Sequence, residues 1–281
     1  MTEVKTRAQA WLEQDPDPDT RAELRALIES NDEAELGERF SGRLLFGTAG
    51  IRGVLGAGPM RMNQVVIAQV SAGLADYVLA HVDGAKERGI VIGYDARNKS
   101  TQFAEEAARI FLGKGLKVHL FESCVPTPTA AFAVAKLGAA AGVMVTASHN
   151  PPDYNGYKVY WENGAQIVPP LDGGIQECIA AVDDVRVLER PDLQASRSDG
   201  RLCDLGTAME EDYSQGVLGL RVHPEVEGRE SLVIAYTPLH GVGGRFIKDV
   251  LERAGYTSLH VEASQAEPDG NFPTVSFPNP E

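Results

Sequence analysis

The amino-acid sequence predicts an α/β fold: two related α/β domains with largely parallel mixed sheets, the second of them truncated. Three observations point there. Short apolar runs rich in β-branched residues alternate with amphipathic helical stretches between residues 90 and 182. Glycines close the helices, as Gly113, Gly115 and Gly138 do. The same alternation restarts after residue 206 and runs into a proline-rich end, Phe272 to Glu281, with no closing helix.

The elements follow in order. Ala8, Trp11 and Leu12 share one helical face, and a second helix covers Arg21 to Glu29, with Leu24, Leu27 and Ile28 at helical spacing and Asp19 or Thr20 as its cap. From Gly42 onward, glycines at 47, 50, 53, 56 and 58 break all periodicity, which reads as a loop. A helix from about Asn63 carries an apolar stripe of Val66, Ile67, Val70, Leu74, Tyr77 and Val78. Strands at Ile90–Tyr94, Val118–Phe121 and Ala140–Val145 are separated by helices at Thr101–Leu112 and Thr129–Leu137, so the connections are crossovers and the sheet is largely parallel. Asn163-Gly164 between Tyr157–Trp161 and Gln166–Val168 predicts a hairpin, and a helix from Asp172 to about Val182 follows. Residues 183–205 are polar and irregular and read as a linker. Beyond them come a helix at Met209–Leu220, a strand at Leu232–Tyr236, a helix at Arg245–Ala254 and a strand at Ser258–Val261. The expected division is a helical extension at 1–40, a first domain at 41–205 and an incomplete second domain at 206–281.

Composition narrows the function. The net charge is −14, which opposes a nucleic-acid partner because phosphate backbones would be repelled. Small phosphorylated molecules stay open, since a pocket can be basic on an acidic protein. No apolar run is long enough to span a bilayer, and Met1 to Gln14 has no apolar signal core, so no membrane partner is expected and the cytoplasm is the expected compartment. Cys124, Cys178 and Cys203 are odd in number and widely spaced, as reduced, partly buried thiols are.

The most specific segment is Thr146-Ala147-Ser148-His149-Asn150-Pro151, placed directly after a strand. Ligand sites in parallel sheets lie beyond the carboxyl ends of strands. A turn of small residues there exposes the Ser148 hydroxyl while Thr146 and Asn150 hold the backbone. Serine is a weak nucleophile and needs a base, cations or a metal. Arg52, in the glycine-rich loop Phe46 to Gly53, and Lys158, ten residues after Ser148, supply cationic candidates, and His149 supplies a donor or proton shuttle. Each also has a plainer reading: a tight turn, a surface ion pair, a solvated strand end, a loop histidine. Spacing alone does not bring them together.

The serine segment resembles the phosphoserine loop of the α-D-phosphohexomutases. Phe46-Gly47-Thr48-Ala49-Gly50-Ile51-Arg52-Gly53, Tyr94-Asp95-Ala96-Arg97, Pro126-Thr127-Pro128-Thr129 and Asn155-Gly156-Tyr157-Lys158 are similar to other family motifs, in the same order. Arg61-Met62-Asn63, the run Val159 to Ile167 and Phe272-Pro273-Thr274-Val275 resemble the phosphoglucomutase/phosphopentomutase branch. The resemblance implies a mutase acting on a hexose or pentose phosphate through phosphorylated Ser148 and a sugar bisphosphate, as a monomer or homodimer. It implies Arg52, Lys158 and His149 as catalytic residues, Thr48, Gly50 and Asn150 as substrate-binding residues, and Mg²⁺ held partly by the phosphoryl group on Ser148.

The family's Asp-x-Asp-x-Asp-Arg metal loop is not found in this sequence, so the chain alone is expected to be inactive. Asp15-Pro16-Asp17-Pro18-Asp19 imitates such a loop but lies between two predicted helices, where it reads as negative charge at a helix N-terminus. His240, in Thr237 to Gly244, reads as part of an α/β turn rather than as a catalytic group. Two rivals remain: a non-catalytic binding or structural module, which Ser148, Arg52 and Lys158 oppose, and a serine hydrolase, which the missing Gly-x-Ser-x-Gly elbow opposes.

Overall fold

The computed structural model describes residues 3–48, 50–276, 278 and 279; Ala49 and the rest of the terminal residues lie outside that description. Three N-terminal helices, α1 (Glu3–Gln14), α2 (Pro18–Ser30) and α3 (Glu33–Arg39), lead into a mixed sheet. Its strands are β1 (Ile51–Val54), β2 (Ile90–Tyr94), β3 (Val118–Phe121), β4 (Ala141–Val145), β5 (Tyr154–Trp161) and β6 (Leu202–Leu205). The spatial order is β1-β5-β4-β2-β3-β6. β2, β3, β4 and β6 run parallel, while β5 runs antiparallel to both β4 and β1.

Helices cover both faces, and a one-turn helix, α5 (Ala85–Arg88), leads into β2. One core joins α4 (Gln64–His81), α6 (Ser100–Gly113) and α8 (Leu171–Ala180) to Ile90, Ile92, Val118, Leu120, Val143, Val145 and Tyr157 of the strands. The opposite face sets Val91, Met144 and Tyr160 against α7 (Thr127–Leu137). This is the period-two alternation of strand side chains, with both faces apolar because both are covered. The N-terminal helices bury Ala8, Trp11, Leu24 and Leu36 in the first of these cores.

A smaller unit follows: α10 (Thr207–Gly219), β7 (Ile234–Tyr236), α11 (Gly244–Arg253) and β8 (Leu259–Val261), with β7 and β8 parallel. Met209 and Phe246 of this unit enter the α7-side core.

Several elements depart from the sequence expectation. Asp17, not Asp19 or Thr20, caps α2: its Oδ1 accepts from the Asp19 N–H at 3.0 Å, and Pro18 opens the helix. The glycine-rich stretch after Gly42 holds a true strand, β1, paired to β5 with Arg52 opposite Gly156. Residues 183–205 are not a bare linker. They form α9 (Leu193–Ser198) and the edge strand β6, whose backbone bonds to β3 supply what its mixed side chains do not. The Asn163-Gly164 turn forms, but its return limb pairs only briefly with β5, through the Tyr160–Gln166 bridge and the Trp161–Ala165 and Ile167–Val159 backbone bonds, before Pro169-Pro170. Helix α4 is buried nearly all round, not along one stripe, because α6 and α8 flank it and its Ser71 hydroxyl meets the Tyr157 hydroxyl of β5 at 3.0 Å in their shared core.

Candidate active site

Ser148 lies three residues past β4, beyond the carboxyl end of a strand in the middle of the sheet. Its φ of 55° is left-handed, a conformation that costs a non-glycine residue about 1–2 kcal/mol. Several bonds hold it there. The Thr146 hydroxyl oxygen accepts the Ser148 N–H at 3.0 Å, and the Asn150 side-chain amide donates to the Ala147 carbonyl at 2.8 Å. Below the turn lies Arg97, whose side chain is 2% exposed. Its guanidinium donates to the carbonyls of Ser148 (2.9 Å), Asn150 (2.5 Å), Pro151 (2.8 Å) and Tyr154 (3.3 Å). Strained backbone persists only where its surroundings over-determine it, and Arg97 supplies most of that constraint.

β5 returns antiparallel beside β4 and carries Lys158 opposite Met144. The Lys158 Nζ donates to the Ser148 Oγ at 2.8 Å. Burial pushes the Lys158 ammonium below the usual lysine range, the neighbouring Arg52 charge pushes it the same way, and Asp95 opposes both. Arg52 reaches this neighbourhood through the pairing of β1 with β5. The glycine-rich loop closes behind them: Gly47 and Gly50 exchange backbone hydrogen bonds at 2.9 and 2.8 Å. Gly50 has φ of 83°, and a Cβ there would stand 2.0 Å from the Tyr157 carbonyl oxygen, so only glycine lets this loop lie against β5.

The structure therefore brings Ser148, Lys158, Arg52 and Gly50 into one neighbourhood. Asn150 spends its amide on the turn. His149 and Thr48 are exposed, and no hydrogen bond or ion pair among the described residues joins either to Ser148 or Lys158. A cleft of about 190 Å³ opens on the other side of Ser148, between Thr146, Asp95 and Arg97 and the His240, Gly241 and Phe272 of the smaller unit. His240 is buried, with φ of 60°, and its Nε2 meets the Thr274 hydroxyl at 2.8 Å. Sequence reasoning passed over Arg97. Its only signal was its place in the Tyr94 to Arg97 motif, and backbone carbonyl partners leave no mark in a sequence.

Residues 43–186 match the model of phosphoglucomutase/phosphomannomutase alpha/beta/alpha domain I, and residues 211–281 match that of domain II. The chain belongs to the phosphoglucomutase/phosphomannomutase family. A "Probable phosphoribomutase" of Schizosaccharomyces pombe is 42% identical over 96% of this chain and 46% of its own length. The phosphopentomutase of Homo sapiens is 35% identical over 96% of this chain and 45% of its own. The crystal structure of a phosphoglucomutase/phosphomannomutase family protein from Burkholderia thailandensis shares the fold, with a TM-score of 0.62 and 22% identity over 83% of this chain and 46% of that one. The chain spans about half the length of the curated relatives it matches.

Members of this phosphomutase family generally use Mg²⁺. Among the described residues no group of three His, Cys, Asp or Glu side chains converges as a cation cage needs. The Asp15–Asp19 loop is no exception. The Lys99 Nζ lies 3.1 Å from Asp17 Oδ2 and 2.6 Å from Asp19 Oδ2, and Asp15 accepts from the Asp17 N–H and the Thr20 hydroxyl. These carboxylates cap a helix and hold a lysine. The donor set of the described residues does not make a Mg²⁺ site by itself. No helix among the described residues is long and apolar enough to cross a membrane.

Proposed function

We propose that the whole protein carrying this chain is a phosphosugar mutase in which Ser148 carries the phosphoryl group between the 1-position and the 5- or 6-position of a pentose or hexose phosphate. The observation that carries the reading is the 2.8 Å contact from Lys158 Nζ to Ser148 Oγ, on a serine turn whose backbone is held by buried Arg97. In the forward half-reaction the bond from Ser148 Oγ to phosphorus breaks as a bond from a sugar oxygen to phosphorus forms. The Lys158 ammonium gives its proton to the departing serine oxygen, and the proton of the sugar hydroxyl passes to solvent water. The second half reverses these steps on the other phosphate of the resulting bisphosphate. Lys158 and Arg52 balance the charge on the moving phosphoryl group, which is most of what such a transfer needs. Pentose phosphates are the first substrates to test, because the phosphoribomutase and phosphopentomutase relatives are named for them.

The test is mass spectrometry of the purified whole protein, with and without incubation with ribose 1,5- and glucose 1,6-bisphosphate, alongside an assay of ribose 1-phosphate and glucose 1-phosphate isomerisation. Phosphate on Ser148, lost together with turnover in Ser148→Ala, is the expected result. A fully active Ser148→Ala protein would refute it. The 281-residue chain alone, lacking an aspartate loop among its own residues, is expected to show no isomerisation.

A further inference from the structure

The segment that joins β2 to the first residue of α6, residues 95–100, is gripped from three sides. Arg97 reaches forward to four carbonyls of the Ser148 turn. Lys99, with φ of 67°, reaches back to Asp17, the cap of α2, and to Asp19 in the first turn of that helix. From the smaller unit, the Phe272 ring lies 5.0 Å from the Arg97 guanidinium, and a Cβ on Gly270 would stand 2.7 Å from the Ala96 carbonyl oxygen. Inside the loop, Asp95 Oδ1 accepts from the Arg97 N–H at 3.0 Å and the Ser100 hydroxyl at 2.7 Å, and Asn155 donates to the Asn98 carbonyl at 2.9 Å.

The N-terminal segment makes a second such contact. Glu23 of α2 accepts the Ala57 N–H at 2.9 Å and pairs with Arg39, which donates to the Ala57 carbonyl at 3.2 Å. Ala57 lies three residues past β1, the strand that carries Arg52. The helices at residues 3–39 precede the segment that matches the family's first domain model, yet they touch the loops behind both Ser148 and Arg52.

We propose that Lys99 and Arg97 are positioning residues that let the N-terminal helices set the geometry of the Ser148 turn: Asp17 and Asp19 fix Lys99, Lys99 fixes the 95–100 loop, and Arg97 fixes the turn. Asp17 is almost wholly buried, so its bond to Lys99 is shielded from water on one side. A charge-assisted bond of this kind is worth enough to change a loop-opening equilibrium about tenfold. None of these residues needs to touch a substrate for this role, which rests on the phosphoryl-carrier reading only for its effect on rate.

The experiment has two independent readouts. The first is hydrogen–deuterium exchange at the amides of Ser148, Asn150 and Tyr154, whose acceptors all lie within the turn, in this chain and in Lys99→Met, Lys99→Arg and Asp17→Asn/Asp19→Asn. Asparagine at position 17 keeps the helix cap while removing the charge. Exchange is expected to rise about tenfold in Lys99→Met and in the double asparagine variant, and to stay near wild type in Lys99→Arg. The second is the rate of Ser148 phosphorylation by a sugar bisphosphate in the whole protein, where kcat is expected to fall about tenfold with KM unchanged. If Lys99→Met lowers the melting temperature but leaves exchange at the turn unchanged, the lysine only anchors helices and the proposal fails. If the wild-type protein takes no phosphate from any bisphosphate, the phosphoryl-carrier reading falls, while the exchange data still decide the positioning role.

Discussion

Two runs of alternating strands and helices in one chain reach opposite outcomes. In the first, β2 and β4 are five residues each and buried at every position, between α4, α6 and α8 on one face and α7 on the other. In the second, β7 and β8 are three residues each, with half-buried ends and an exposed middle residue. Leu232 and Val233, leading into β7, are 53% and 68% exposed, and α11 buries only Phe246. The same alternation of apolar runs and helices writes both units. What differs is coverage: a two-stranded sheet with helices α10 and α11 is too small to close a core of its own. Within the smaller unit α10 and α11 are joined by the Tyr213–Phe246 edge contact and by ion pairs of Arg245 with Glu210 and of Arg253 with Glu211. The unit borrows the rest from the larger one: Tyr213 against Phe132, Asp212 paired with Lys136, Arg245 donating to the Ser123 hydroxyl, and Phe272 against Arg97. The serine turn sits on the deeply buried unit, and the shallow unit supplies the far wall of its cleft.

The sharpest test of that contrast removes equivalent side chains. Ile92 of β2 is fully buried, and Ile92→Ala is expected to destabilise the chain by about 2–5 kcal/mol, read from urea unfolding. Ile234→Ala on β7 removes the same atoms from a half-buried position and is expected to cost about 1 kcal/mol or less. Equal losses would mean that the smaller unit shares the main core after all. Native-state exchange should show the same order, with β2 and β4 amides opening only on global unfolding and β7 and β8 amides opening locally.

The difference in coverage also explains what the sequence could tell. Ile90 to Tyr94 and Ala141 to Val145 are continuous apolar runs, and they read as buried strands because they are buried on both faces. β1 was hidden because Arg52 and Gly53 interrupt any pattern, and its strand character comes from pairing with β5. β6 was hidden because Cys203 and Asp204 are only partly covered at the sheet edge. At the site, Ser148 was legible because the turn after β4 is built from a distinctive run of small and polar residues. Lys158 was legible as a charge, but its contact with Ser148 depends on the antiparallel return of β5. Arg97 and Lys99 were not legible, since carbonyls and a loop some eighty residues away are joined only by the fold.

Gly50 offers an intermediate test, because it joins the glycine-rich loop to the well-covered unit. Gly50→Ala puts a methyl group against the Tyr157 carbonyl in a left-handed backbone and is expected to cost about 1–3 kcal/mol. The loop must also withdraw from β5 beside Lys158, so phosphorylation of Ser148 is expected to slow while β7 and β8 exchange as before. Faster exchange throughout the smaller unit would show that the two units are more tightly coupled than their shared surfaces suggest.

The smallest expected effect is electrostatic and belongs to the buried unit alone. Lys158 loses its proton more readily in the folded chain than in the unfolded one, chiefly through burial and also through Arg52. Between the lowered folded value and the ordinary lysine value, the unfolded chain binds more protons, so stability rises with pH across that window. Below it, the buried charge imposes its full cost. Lys158→Met removes both the cost and the slope, so the variant is expected to gain stability at neutral pH relative to wild type and to lose that advantage as the pH approaches the ordinary lysine range. If Ser148 carries a phosphoryl group, that group beside Nζ favours the ammonium, so phosphorylation is expected to oppose the downward shift and flatten the slope. Urea unfolding of the unphosphorylated, phosphorylated and Lys158→Met proteins from neutral pH to pH 10 tests all three statements. A slope that survives in Lys158→Met would assign the titration to another group, and exchange at β4 and β5 that follows the slope while β7 and β8 do not would tie it to the strand pair that carries Ser148 and Lys158.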